Sequence, residues 1–343
     1  MGAAAGIDAE HVTRWFEEHV PGVVPPLDFL LIAGGRSNLT FKVTDRTGGA
    51  WVLRRPPTGH VLPTAHDMAR EHRIISALAP TAVPVPTPLG LCTDEAVNGA
   101  PFYVMGYLEG HVVRDAKTAQ ALYSPEQRRA IGLSLADALA DLHAVNVEAA
   151  GLGDLGRRDG YIARQLQRWY GQFRASTQET GRAVPLVDAV HDRLAAAVPD
   201  QQGATIVHGD FRLDNTLLDD QGRLLGVLDW EICTLGDPLA DVGLLMVYWA
   251  EPGDASPALG VAPTTAGGFP TRAEMKARYA ERSGRDVDLL DFYVAFGYWK
   301  LACILEGVFT RYAGGSGGGD QTGFDALEAQ VSVLAEAAAA ALG

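Results

Sequence analysis

The chain has 343 residues, 47% of them hydrophobic and 20% charged, which is ordinary globular usage. That supplies core material for about two domains and excludes a disordered, collagen-like or coiled-coil chain. Acidic residues outnumber basic ones 42 to 28, a formal charge of −14, which argues against a nucleic acid partner. Cys92, Cys233 and Cys303 stand far apart with no C-x-x-C pair, so neither a disulfide framework nor a zinc site is expected.

The first residues lack the apolar core of an export signal. The longest strongly apolar stretch, Val242 to Ala250, falls short of the ~20 residues that cross a bilayer. The expectation is a reducing, cytoplasmic location without a membrane partner.

In chain order, residues 8 to 20 predict an amphipathic helix with Val12, Trp15, Phe16 and Val20 on one stripe. Three strands follow, Phe29 to Ile32, Leu39 to Val43 and Trp51 to Leu53, punctuated by Gly34-Gly35 and Gly48-Gly49. A helix over Ala65 to Leu78 precedes two more strands, Leu89 to Cys92 and Phe102 to Leu108, giving a five-stranded sheet with one inserted helix. Beyond Gly110 the pattern turns helical, at Pro125 to Leu142, Gly160 to Phe173 and Val184 to Val198. Short strands at Ile206-Val207, Leu217-Leu218 and Leu224 to Leu228 interrupt it, and Phe324 to Leu342 reads as a closing helix. Residues 251–270 and Gly314 to Gly319 read as loops. The fold class is α+β, with a lobe over 1–108 and a mainly helical lobe over 109–343.

The chemistry concentrates in His208-Gly209-Asp210-Phe211-Arg212-Leu213-Asp214-Asn215 and Leu228-Asp229-Trp230-Glu231. Both carboxylates, Asp210 and Asp229, follow short apolar runs, where strand ends hold polar groups over a cleft. Two carboxylates and an amide oxygen are hard ligands of the kind Mg²⁺ takes when phosphate oxygens complete its shell.

These segments resemble the aminoglycoside phosphotransferase-like superfamily, kinase relatives that phosphorylate small molecules. Its H-G-D-x-x-x-x-N pattern matches His208 to Asn215, its counterpart of the kinase D-F-G segment matches Leu228 to Glu231, and Gly236-Asp237-Pro238-Leu239-Ala240-Asp241 resembles its G-D-P-x-x-D stretch. The resemblance implies a bilobal protein-kinase-like fold, with ATP and Mg²⁺ as cofactors and a small-molecule hydroxyl as acceptor. Asp210 would take the acceptor's proton, and Asn215 and Asp229 would hold the metal. Gly34, Gly35, Ser37 and Asn38 would line the phosphate loop. Arg54, or its neighbour Arg55, would stand where kinases carry lysine, oriented by Glu71, and the hinge at Met105, Gly106 and Leu108 would meet adenine.

His208 is expected to hold the loop through backbone bonds, Asp237 and Asp241 to stabilise that loop or cap the following helix, and Arg212 and Asp214 to be solvated. Within the superfamily, Gly34 to Thr40, Leu53 to Gly59 and Asp229-Trp230-Glu231 are most similar to the amino-terminal kinase domain of acyl-CoA dehydrogenase family members 10 and 11. That branch implies a hydroxyacyl acceptor; an aminoglycoside is the alternative within the class. A non-catalytic nucleotide-binding protein and a metal-dependent hydrolase are the competing classes, the latter disfavoured by the absence of histidine ligands near Asp210 and Asp229.

Overall fold

A computed structural model describes residues 5–33, 38–58, 66–254, 262–313 and 324–343. The elements are α1 (Ala9–His19), β1 (Leu27–Ala33), β2 (Leu39–Asp45), β3 (Ala50–Arg55), α2 (Met68–Leu78), β4 (Pro88–Cys92), α3 (Glu95–Asn98) and β5 (Phe102–Gly106). There follow α4 (Ala116–Leu122), α5 (Pro125–Ala144), α6 (Tyr161–Thr180), α7 (Pro185–Ala196), β6 (Thr205–Val207), β7 (Thr216–Leu218), β8 (Leu224–Val227) and β9 (Thr234–Gly236). The chain closes with α8 (Pro238–Tyr248), α9 (Arg272–Ser283), α10 (Leu290–Ala313) and α11 (Phe324–Ala341). It divides into two compact units: Met1–His111 with Thr216–Asp219 and Leu224–Glu231, and Val112–Asn215 with Asp220–Arg223 and Ile232–Gly343.

In the first unit an antiparallel sheet runs β1-β2-β3-β5-β4. Its inward face alternates as a half-buried sheet must, and Phe41, Val43, Leu53, Phe102 and Val104 meet Val12, Trp15 and Phe16 of α1 in one core. Each such side chain contributes roughly 1.5–3 kcal/mol of burial. The Asp8 carboxylate caps α1 by accepting from His11 N–H, and Asp67 likewise caps α2 by accepting from Arg70 N–H. That cap starts α2 at Met68; Ala65, where the helix was expected to begin, lies outside the described residues. The β7–β8 ladder pairs Thr216 with Val227 and belongs to this unit, so the catalytic-motif segment is divided between the two.

The second unit is helical around two-stranded β6–β9. Its centre is α10, 24 residues long and, among the described residues, the one helix apolar and long enough to cross a membrane; 72% of its apolar window is buried inside the protein. The longest apolar stretch is therefore here, not at Val242 to Ala250. Helix α8 lies against α10 so closely that a Cβ on Gly243 would meet the Tyr293 carbonyl carbon at 2.5 Å. Residues 262–270, expected to be loop, are packed: the Thr264 hydroxyl donates to the Ala250 carbonyl and the Trp249 indole to that of Pro270, at 2.7 and 2.8 Å.

Candidate active site

In the first unit, Arg54 on β3 is the hub of an ionic cluster. Its Nε lies 3.0 Å from Glu71 Oε2, and its Nη2 lies 2.5 Å from Asp229 Oδ1 and 4.0 Å from Glu231 Oε2. Strand alternation separates the two candidate arginines. Arg55 points the other way and donates to the carbonyls of Gly6, Pro56 and Asn98, so it is structural and Arg54 alone faces the cluster. Glu71, with its side chain 2% exposed, also accepts from the Asn38 amide at 2.7 Å and the Tyr103 hydroxyl at 3.1 Å. Burial opposes the charge on Arg54, but Tyr103, Glu71 and Asp229 more than offset it, and the guanidinium titrates above its ordinary value. Three carboxylates share this one cation, and burial pushes Glu71 up to about 7 despite the pull of Arg54.

Asp229 adopts φ +66°, a left-handed conformation that aspartate tolerates better than most side chains. The strain belongs to the turn that leaves β8 and aims the carboxylate at Arg54. Glu231, the last residue of the Leu228–Glu231 segment, joins the cluster, as does Tyr103, which only its spatial convergence identifies. At the hinge, Gly106 N–H is committed to the Thr87 carbonyl at 2.8 Å, and Met105 pairs with Val52 inside the sheet. The Leu108 side chain packs near Gly226. Gly34, Gly35 and Ser37 lie outside the described residues.

In the second unit, the loop after β6 is built on buried charge. Asp241, 1% exposed, accepts from His208 N–H at 2.7 Å and Gly209 N–H at 2.8 Å. Burial opposes its ionisation, but bonds from His143 and the loop hold it below the usual carboxylate value. Gly209 takes φ +86°, with Ile232 3.0 Å from where a Cβ would sit, so glycine is required. The His208 ring accepts from Asp210 N–H at 3.3 Å, and Asp237 caps α8 by accepting from Leu239 N–H. Asp241 therefore braces the loop and Asp237 caps the helix.

Asp210 is thereby fixed at the loop's exposed end. Asn215 Nδ2 donates to its carbonyl and to its Oδ2, both at 2.9 Å, and the Tyr248 hydroxyl bonds its carboxylate. Arg212, expected to be solvated, instead lies 3.4 Å from Asp210 Oδ2 and 3.1 Å from Asp214 Oδ2, with its guanidinium over the Tyr248 ring. The Asn215 amide nitrogen is spent on Asp210, which leaves its Oδ1 as a hard oxygen donor. Asp229 supplies another and is 34% exposed. Among the described residues no three His, Cys, Asp or Glu side chains form a ready-made metal cage. Each unit thus offers an oxygen of the hard kind that Mg²⁺ takes when water and phosphate supply most of its shell.

A cavity of about 70 Å³ opens beside the Asp210 loop, lined by Arg114, Arg212, Asp214, Tyr248, Trp249 and Thr264. A larger open groove, about 730 Å³, lies along α6 and α7 around Arg174, Arg182 and Asp188; none of the candidate site residues lines it.

Such an aspartate–asparagine loop in a helical unit, with an arginine–glutamate–aspartate cluster in a sheet unit, defines a phosphotransferase of kinase-like fold. The chain belongs to the Phosphotransferase enzyme family, whose pattern matches residues 28–277. A candidate aminoglycoside phosphotransferase from Ralstonia eutropha JMP134, solved by crystallography, is 32% identical with a TM-score of 0.80, covering 97% of this chain and 99% of that one. Mouse acyl-CoA dehydrogenase family member 10 is 38% identical over 292 residues, 83% of this chain and 27% of that protein. Rat acyl-CoA dehydrogenase family member 11 is 33% identical over 321 residues, 90% of this chain and 40% of that protein. The chain thus spans less than half the length of these curated relatives.

Proposed function

We propose that this phosphotransferase moves the γ-phosphoryl group of ATP to a hydroxyl of a small metabolite, a hydroxyacyl compound. The observation that carries the reading is the brace on the Asp210 loop: two successive backbone N–H groups fixed by one buried carboxylate, with Asn215 and Tyr248 orienting Asp210 itself. Catalysis of phosphoryl transfer is mostly positioning and charge neutralisation, and a base held this rigidly serves both. The acceptor oxygen attacks the γ-phosphorus, the bond to the β-phosphate oxygen breaks, and the acceptor's proton passes to Asp210. Arg54 binds phosphate oxygens through its planar fork, with Glu71 fixing its orientation. Asn215 and Asp229 would each offer an oxygen to Mg²⁺, which would supply neutralisation of the phosphate charge.

Two features support a hydroxyacyl acceptor. The two curated relatives reported above carry acyl-CoA dehydrogenase names. The cavity beside Asp210 is lined by two arginines and one aspartate, a poor setting for a polycation such as an aminoglycoside. The test is Mg–ATP-dependent phosphorylation, read by mass spectrometry, across hydroxyacyl thioesters, hydroxy acids, aminoglycosides and simple alcohols. Phosphorylated hydroxyacyl product is expected. Preference for aminoglycosides would overturn the acceptor class, and nucleotide binding without any phosphorylated product would favour a non-catalytic binding protein.

A further inference from the structure

Gly209, the residue before Asp210, has its N–H held by Asp241 of α8. Its carbonyl is met from the other side by an ammonium: Lys300 Nζ, on the core helix α10, lies 3.4 Å from Gly209 O. Lys300 is 8% exposed, and a lysine is almost never placed so deep without a task or a partner. The adjoining cavity, lined by Tyr161, Gly209, Asp241 and Lys300 among others, is about 10 Å³. That is room for about one water molecule and no substrate.

We propose that Lys300 is a positioning residue for Asp210: with Asp241 it holds Gly209 by its N–H on one side and its carbonyl on the other, and sets the direction in which Asp210 faces the acceptor. The proposal rests on the reading of Asp210 as the acceptor's base. The clamp is electrostatic as well as geometric. Asp241 on α8 and Asp210 on the loop attract the ammonium, Arg168 on α6 opposes it, Tyr161 of α6 shares the cavity, and the Trp169 ring of α6 lies 5.9 Å from Nζ. Burial lowers the pKa of Lys300, so the ammonium is lost at lower pH than that of an exposed lysine. Loss of the ammonium would therefore release the clamp at a lower pH than an exposed lysine would allow.

The experiment compares Lys300→Met and Lys300→Arg in the full chain, after thermal melts establish that each folds. Lys300→Met is expected to lower kcat for Mg–ATP turnover by roughly tenfold to a hundredfold, the cost of a misplaced catalytic group, with KM for ATP within about twofold. Lys300→Arg is expected to restore part of kcat and move the alkaline limb of the pH profile upward, because a guanidinium stays charged. Unchanged kcat in Lys300→Met, or an alkaline limb that stays put in Lys300→Arg, would overturn the proposal. Hydrogen exchange at the amides of residues 208–210 separates this claim from the proposed reaction, since it needs no turnover. Faster exchange there in Lys300→Met with the α1 amides unchanged supports the clamp even if no acceptor is found. Unchanged exchange overturns it.

Discussion

Arg54 Nη2 and Asp229 Oδ1 stand 2.5 Å apart, so the cation on β3 and the carboxylate after β8 neutralise each other across 175 residues of chain. Glu71 and Glu231 add two more carboxylates around the same guanidinium, so its removal would leave three like charges close together.

Arg54→Met should therefore cost about 3–5 kcal/mol, the range for breaking a buried pair and stranding its partner. The readout is urea unfolding. Arg54→Lys keeps the charge but not the fork, so it should fall between wild type and Arg54→Met in stability and weaken ATP binding. Equal stability of Arg54→Met and wild type would show that the cluster does not depend on its cation.

Asp229→Asn should leave the fold largely intact, because asparagine also tolerates φ +66° and the side chain is one-third exposed, while abolishing most of the Mg²⁺ dependence of ATP affinity. Calorimetric titration with ATP, with and without Mg²⁺, tests this. An unaltered Mg²⁺ effect would remove Asp229 from the metal site.

His143 gives a pH dependence. Its Nδ1 faces the Tyr279 hydroxyl at 2.8 Å and its Nε2 faces Asp241 Oδ2 at 3.3 Å, an arrangement a neutral ring satisfies by accepting from the first and donating to the second. Burial lowers its pKa, so as pH falls below about 6.5 the unfolded chain takes up a proton the folded chain refuses. Stability is then full above that pH and falls by at most ~1.4 kcal/mol per unit as pH drops, until the folded ring also protonates. In urea unfolding at pH 7.5 and 5.5, His143→Gln should show a shallower loss than wild type. Identical losses would contradict this.

The close approach of α8 to α10 predicts opposite signs at two helical glycines. Gly243→Ala drives a methyl into the Tyr293 backbone at 2.5 Å and should destabilise by about 1–3 kcal/mol. Gly171→Ala, in α6 with nothing within 4 Å of the new Cβ, should stabilise by about 0.5–1 kcal/mol. Melting temperatures of the two variants check both.

What the sequence shows and what it hides follow from how far each signal reaches. The strands of the small sheet and helix α1 were legible because glycine pairs punctuate them and Val12, Trp15 and Phe16 repeat at helical spacing. The bounds of helix α10 were not, because it is largely buried and lacks an amphipathic stripe, with Gly297 and Gly307 breaking the run. At the site, Asp210, Asn215 and Asp229 stand in an ordered motif and are visible at once. Arg54 and Arg55 are adjacent, and only the pleat decides between them. Tyr248 and Lys300 meet the Asp210 loop from helices remote in sequence, with nothing local to mark them.

The most direct test of the central claim is a comparison of wild type and Asp210→Asn for phosphoryl transfer and for Mg–ATP affinity on the same preparations. Asparagine preserves the shape and the Asn215 contact but cannot take the acceptor's proton. Transfer lower by roughly 10²–10⁴-fold, with ATP affinity nearly unchanged, is the predicted result. Full transfer activity in Asp210→Asn would contradict it.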